Sequence, residues 1–395
     1  MALKQTRYIQ RLKAAPESPL WEGYWACSKD PNIINLGTAE NRVMDELLQP
    51  IIEHRKGITT KDETYFANLE GQLNDALASL YHDYFDIKEA KPSQFLFGSG
   101  IAFLVEKLGL VLCDGDDGDI ILIPKPCYGC FEPDLSACAA KVEYIDLDHL
   151  PEKPPEKARL LILTNPGNPI GDIIENPEKI LEWCYQNPYL HVVTDDVYAL
   201  SNRHGKSYHS IAGLKNAKPE VVHQFYGMSK DWGLAGCNVG FFWTRNNELL
   251  DLMRIARGCF HLSSDTQWLC IRLLDQKYGV RDNWIKQFRK NLSINETKMM
   301  KILDDGQISY RKCENSLFLM IDLRDLVKGS KEKELDVWRS LMLKYKVHIL
   351  PGAAGFHMDE PGFYRVIFSI PDAELTQGLQ NLVKGVQELR DKINQ

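Results

Sequence analysis

Residues 159–171 read RLLILTNPGNPIG. Four aliphatic residues and a threonine follow the arginine, and the run then stops in asparagine, proline and glycine. A short, nearly unbroken apolar run closed by turn residues is the pattern of a strand covered on both faces of a sheet. Five further segments share this texture: 119–124 (DIILIP), 141–146 (KVEYID), 190–195 (LHVVTD), 221–226 (VVHQFY) and 239–244 (VGFFWT). Residues 95–97 (FLF) make a shorter first strand, and helical stretches such as 176–185 separate several of the runs. Strands alternating with helices predict an α/β domain built on a mostly parallel sheet.

From about residue 282 the pattern changes. A long polar helix over 282–303 is followed by LFLMIDL (317–323) and an amphipathic helix near 332–345. Then come an apolar stretch at 347–350, a strand at 364–369 and a last helix from Asp372. This predicts a smaller α+β domain. The expected division is residues 46–281 for the large domain and 282–395 for the small one, with residues 1–45 packing against the latter. A chain of 395 residues is long enough for two such cores.

Bulk composition excludes several function classes. The net charge of -7, with no block of lysine or arginine, argues against nucleic acid as a partner. The opening residues hold no apolar core of signal-peptide length, and no later run is long and uncharged enough to span a bilayer. A cytoplasmic protein with no membrane partner is expected. Ten cysteines are scattered, and Cys127 and Cys130 form the one C-x-x-C. Without a second pair or paired histidines nearby, no metal is expected; reduced thiols and a redox pair both remain open.

In open parallel sheets ligands sit beyond the carboxyl ends of the strands. Asn168 follows RLLILT; Asp195 and Tyr198 follow LHVVT; Ser229 and Lys230 follow VVHQFY; Ser99 and Gly100 follow FLFG and open a helix. Taken singly, Asn168 suits a turn, Asp195 a helix cap, Tyr198 packing and Lys230 a solvated surface. Successive strand ends bring them to one edge together. GSGIAF matches neither the dinucleotide fingerprint nor a phosphate-binding P-loop, which argues against a nicotinamide enzyme. A lysine, a carboxylate, an amide and a phenol are what pyridoxal chemistry needs. The amine forms a Schiff base, the carboxylate keeps the ring nitrogen protonated, and the amide and phenol hold the ring oxygen. Tyr128 offers a flat side chain to cover the ring.

These residues sit in motifs that resemble a known family. TNPGNPIG (164–171), TDDVY (194–198) and SKDWGLAG (229–236) are similar to the central motifs of fold-type I pyridoxal-phosphate enzymes of the class I/II aminotransferase group. Within that group the chain resembles the 1-aminocyclopropane-1-carboxylate (ACC) synthases and their relatives. SPLWEGYWAC (18–27), INLGTAENRV (34–43), PKPCYGCFEPDL (124–135) and GFHMDEPGFYRVIF (355–368) extend the resemblance over nearly the whole chain. It implies pyridoxal 5'-phosphate as cofactor, Lys230 as the Schiff-base lysine and Asp195 as partner of the ring nitrogen. Asn168 and Tyr198 would contact the ring oxygen, Tyr128 would stack on the ring, and Ser99, Gly100 and Ser229 would lie near the phosphate. Arg365 would hold the carboxylate of a small amino-acid substrate, with Glu40 close by. A homodimer is implied as well.

One part of the family pattern is altered. The arginine expected eight residues after the lysine is Asn238, and the serine three residues before it is Gly227. The tyrosine two residues before Gly71 is Leu69, and the threonine of the helix-opening loop is replaced by Ile101 or Ala102. Ser99, Ser229 and Tyr65 are the polar residues left to serve a phosphate. The sequence therefore supports an amino-acid enzyme acting by amino transfer, by ACC synthesis from S-adenosylmethionine, or by carbon–sulfur or γ-elimination. The alternative is a non-catalytic relative with a degenerate phosphate site, serving as a binding protein.

Overall fold

A computed structural model describes residues 6–14, 18–54, 59–64, 69–203, 208–313 and 315–394. A two-residue strand, β1 (Ile34–Asn35), precedes a seven-stranded sheet. In chain order its strands are β2 (Phe95–Gly98), β3 (Ile120–Pro124), β4 (Lys141–Ile145), β5 (Ala158–Thr164), β6 (His191–Asp195), β7 (Val222–Gly227) and β8 (Gly240–Thr244). In space the order is β2-β8-β7-β6-β5-β3-β4. Strands β4, β3, β5, β6 and β7 pair in parallel, while β8 runs antiparallel to both β7 and β2.

The apolar runs fill both faces, as their unbroken texture requires. Leu122, Leu161, Leu163, Val192, Tyr226 and Phe241 join one core, and Ile121, Ile123, Leu160, Ile162, Val193 and Phe225 join the other. Each fully buried aliphatic side chain contributes ~1.5–3 kcal/mol. Two such layers hold the strands rigid, so that the residues at their ends are placed by the sheet and not by loops.

The 25-residue helix Arg281–Asp305 leads into a second, four-stranded sheet. Its strands are β9 (Ser309–Arg311), β10 (Phe318–Asp322), β12 (Leu350–Pro351) and β13 (Phe363–Ile367), ordered β12-β13-β10-β9 and antiparallel throughout. The remaining strand, β11 (Val347–His348), pairs in parallel with β1. The N-terminal segment then runs beside β13: Ile367 N donates to Leu36 O at 2.9 Å, and Arg42 N donates to Ser369 O at 2.7 Å. Residues 37–40 are thereby held between the two sheets. Among the described residues, no helix is long and apolar enough to cross a membrane.

Candidate active site

The carboxyl ends of β5, β6 and β7 open onto a cavity of about 410 Å3. Lys230, Asp195, Tyr198, Asn168, Tyr128, Ser229, Arg365 and Glu40 all line it. The sheet and the N-terminal segment thus bring together eight of the ten residues expected at the site. Ser99 and Gly100 lie just outside the lining, and the wall at that end is formed by Ile101 and Ala102. Tyr65 falls outside the described residues.

Lys230 is half-buried, and its Nζ donates to the backbone carbonyl of Ala39 at 2.9 Å. Burial is the main force pushing its pKa down to about 8; the nearby Arg365 guanidinium adds to this, and Glu40 and Asp195 oppose it. Removing an ammonium from water penalises the charged form. A sizeable neutral fraction therefore exists near neutral pH, which a nucleophilic or proton-moving amine needs. The lysine's own carbonyl is tied down by Asn41 Nδ2 at 2.8 Å, so the N-terminal segment helps to fix the backbone carrying the amine.

Asp195 ends β6 and is buried beside Asp196. Burial first, and then the Asp196 charge, raises its pKa to about 7, against a weak lowering from the Val197 N–H at 3.3 Å. Asp196 is itself accounted for by Thr194 Oγ1 and Gln224 Nε2, which donate to it away from the cavity. Asp195 is the carboxyl left facing inward. A buried acid held this way favours a cationic partner, because a cation restores the charge balance that burial has removed.

Arg365 stands on β13 opposite Met320 and Leu350. Its guanidinium lies between the rings of Phe318 and Phe356, with centroids at 4.8 and 4.6 Å. Nη1 donates to Asn168 Oδ1 at 2.7 Å and Nη2 to Gly37 O at 2.6 Å. Burial lowers its pKa to about 10, which still leaves it cationic at neutral pH. Its Nε is buried without a hydrogen-bond partner. The fork is locked in orientation and retains an unused donor, an arrangement suited to a carboxylate. Tyr198 and Tyr128 are both pushed above the ordinary phenol range by burial, so both stay protonated donors.

The other end of the cavity differs in kind. The helix Gly100–Leu112 starts directly against β8: a Cβ at Gly240 would lie 2.5 Å from Gly100 C, so only glycine fits there. A Cβ at Gly227 would meet Val239 O at 2.8 Å and Ile101 Cδ1 at 3.3 Å. The backbone and the isoleucine thus close the position where the family pattern has a serine. Asn238 adopts a left-handed conformation (φ 50°), which asparagine tolerates well. Its Nδ2 donates to Ser99 O at 3.1 Å, and its Oδ1 sits where a Cβ on Gly100 would be only 2.2 Å away.

Three lining features escape the motifs. Leu20, Trp21 and Tyr24, from the helix Pro19–Lys29, form the outer wall. They lie inside SPLWEGYWAC, so the family likeness pointed to the segment without giving their place. Asp134 faces the cavity with its pKa raised to about 7, by burial first and then by Glu106. It lies inside PKPCYGCFEPDL, where the family likeness gave it no role. The carbonyls of Gly37 and Ala39 carry no side-chain signal at all.

The ring-end residues fit a protonated pyridine aldehyde: a half-buried amine, an inward-facing buried acid, an amide and two phenols surround one space. The opposite end does not fit a phosphate dianion: among the described residues its wall is Ile101, Ala102, Gly236, Ser229 and the neutral amide of Asn238, with no cation.

A large sheet with a lysine at the end of β7 and an acid at the end of β6, capped by a small domain that supplies an arginine, defines the fold-type I pyridoxal-phosphate enzymes. The chain matches the family described as aminotransferase class I and II over residues 31–382, and it belongs to that family. Among individual proteins it is 27% identical to 1-aminocyclopropane-1-carboxylate synthase CMW33 of Cucurbita maxima, over 95% of this chain and 84% of that one. It is 28% identical to 1-aminocyclopropane-1-carboxylate synthase-like protein 1 of Takifugu rubripes, over 92% of this chain and 63% of that one. Among solved structures, Bna3p of Saccharomyces cerevisiae, a putative kynurenine aminotransferase, superposes with a TM-score of 0.80 at 18% identity. It covers 98% of this chain and 100% of its own. Aspartate aminotransferase of Thermus thermophilus gives 0.78 at 14% identity, covering 97% and 100%. These two likenesses carry the fold.

Proposed function

We propose that this chain is an enzyme that binds an α-amino acid by its carboxylate at Arg365 and works on the bonds of its α-carbon through a pyridine aldehyde held at Lys230. The observation that carries this is the joint placement of a half-buried amine of lowered pKa and an inward-facing buried acid at adjacent strand ends. The aldehyde cofactor supplies the electron sink for those bonds when bound. The protein's part is positional. Asp195 would keep the heterocycle cationic, Asn168 and Tyr198 would hold the ring oxygen, and Tyr128 would cover one ring face. The Lys230 amine would take a proton from the substrate α-carbon and return it, a task suited to a pKa near 8. Glu40, on the wall beside Lys230, faces the substrate.

The reaction is amino transfer or an elimination of the kind ACC synthases perform, and we place the enzyme in the cytoplasm as a homodimer. Product analysis with S-adenosylmethionine, and then with amino-acid and keto-acid pairs, separates the two reactions. Turnover is expected with one of these sets and absent in Lys230→Ala. Turnover that survives Lys230→Ala overturns the assignment. A second reading, a binding protein that has given up chemistry, draws on the apolar wall of Ile101 and Gly227. It predicts a ligand-bound chain with no turnover on any of these substrates.

A further inference from the structure

The two ends of the cavity obey different electrostatics. Its lining holds two cations, Lys230 and Arg365, and three acids, Glu40, Asp134 and Asp195. Both cations sit at the ring and substrate end: Lys230 against Ala39 O, and Arg365 against Asn168 and Gly37 O. At the far end, where the helix Gly100–Leu112 begins, the described lining offers no cation. The Asn238 amide nitrogen is engaged by Ser99 O. Its oxygen, an electron-rich acceptor, lies against Gly100, beside the backbone N–H groups that an anion would otherwise reach.

The side chains there also fit each other closely. Ile101 stands 3.3–3.4 Å from where a Cβ of residue 227 would be, and Val239 O would lie 2.8 Å from the same point. A hydroxyl-bearing residue at 227 has no room unless Ile101 and the backbone at Val239 both give way. The departures at 101 and 227 therefore interlock, Asn238 closes on Ser99 and Gly100 beside them, and together they form an uncharged seat.

From this fit we infer that the cavity takes a pyridine-4-aldehyde whose 5-substituent is neutral, pyridoxal itself, at least as well as its phosphate ester. This rests on the assignment of Lys230 as the aldehyde-binding amine. Condensation at Lys230 replaces the C=O bond with C=N; the oxygen leaves as water with the two amine hydrogens, and nothing is oxidised or reduced. A hydroxymethyl arm needs one or two ordinary hydrogen bonds, for which the Ser229 hydroxyl on the lining suffices. A phosphate dianion would need charge-assisted donors that the described residues at this end lack.

The full chain is titrated separately with pyridoxal and with pyridoxal 5'-phosphate, the adduct is fixed with borohydride, and occupancy at Lys230 is read by peptide mass. The two adducts differ by the mass of the phosphoryl group. The expected result is half-occupancy by pyridoxal at a concentration within about threefold of that for the phosphate, or below it. In Asn238→Arg combined with Ile101→Thr, the preference is expected to move toward the phosphate by about tenfold or more. Both aldehydes are compared on the same preparation, so a variant that folds poorly loses occupancy with each and the ratio survives. A phosphate preference of about tenfold or more in the unchanged chain overturns the inference and leaves the Lys230 assignment standing. Failure of both aldehydes to label Lys230 in the folded chain overturns that assignment as well.

Discussion

The two ends of one cavity have been built to different rules. At the ring end, three charged groups are oriented and shifted in their ionisation: Lys230 down to about 8, Asp195 up to about 7, and Arg365, locked between two rings, down to about 10. At the far end, Ile101, Gly227 and Asn238 close a small space with apolar surface and one exposed amide. Burying charge is costly, and a fold keeps buried charges only where partners or ligands compensate them. The ring end retains such charges and the far end does not. The difference separates two tasks that usually travel together in this family, covalent chemistry at the aldehyde and anchoring of the cofactor's arm.

The contrast can be broken by attacking either end. The largest effect is expected at Arg365. Arg365→Lys keeps the charge but loses the planar fork and one or more charge-assisted bonds, about 2–3 kcal/mol, or roughly 30- to 150-fold in kcat/KM for the amino acid. Adduct formation at Lys230 should change little. A loss confined to adduct formation would place Arg365 on the cofactor and not on the substrate.

A stability measurement sharpens the same comparison. The folded-state pKa of Asp195 is raised from 3.8 to about 7, so between these values the folded chain holds a proton that the unfolded chain has released. Stability from this group therefore falls as pH rises from about 4 to about 7 and stays low above that. Asp195→Asn removes the penalty. The ligand-free variant is expected to gain roughly 2–4 kcal/mol over the parent at pH 8 and far less at pH 4, with adduct formation impaired. An equal gain at both pH values would mean that Asp195 is not held as a buried acid.

Much of this was legible before any coordinates. The strand runs ended where the sheet's strands end, within a residue or two, because unbroken apolar texture is a direct consequence of burial on both faces. Asn168, Asp195, Tyr198 and Lys230 could be placed on one edge because strand ends in a parallel sheet share a side. The antiparallel direction of β8 was not legible, since VGFFWT is as apolar as its parallel neighbours and direction is set by the short connection through residues 228–239. The acceptors for Lys230 and Arg365 were also hidden. They are backbone carbonyls of Ala39 and Gly37, whose position depends on Leu36 and Arg42 pairing with Ile367 and Ser369, more than 300 residues away. The loss of family phosphate ligands could be read from Asn238 and Gly227 alone. That Gly227 fits against Ile101, and Asn238 against Ser99 and Gly100, required the geometry.

The central claim is that the Lys230 amine, half-buried at the cavity wall, is lowered in pKa and poised to react with an aldehyde. Reductive labelling of the intact chain with pyridoxal at a series of pH values, followed by peptide mapping, tests it most directly. Labelling of Lys230 should be half-maximal near pH 8, while exposed lysines follow at about 10.4. Labelling spread over surface lysines, with Lys230 untouched or titrating along with them, would contradict it.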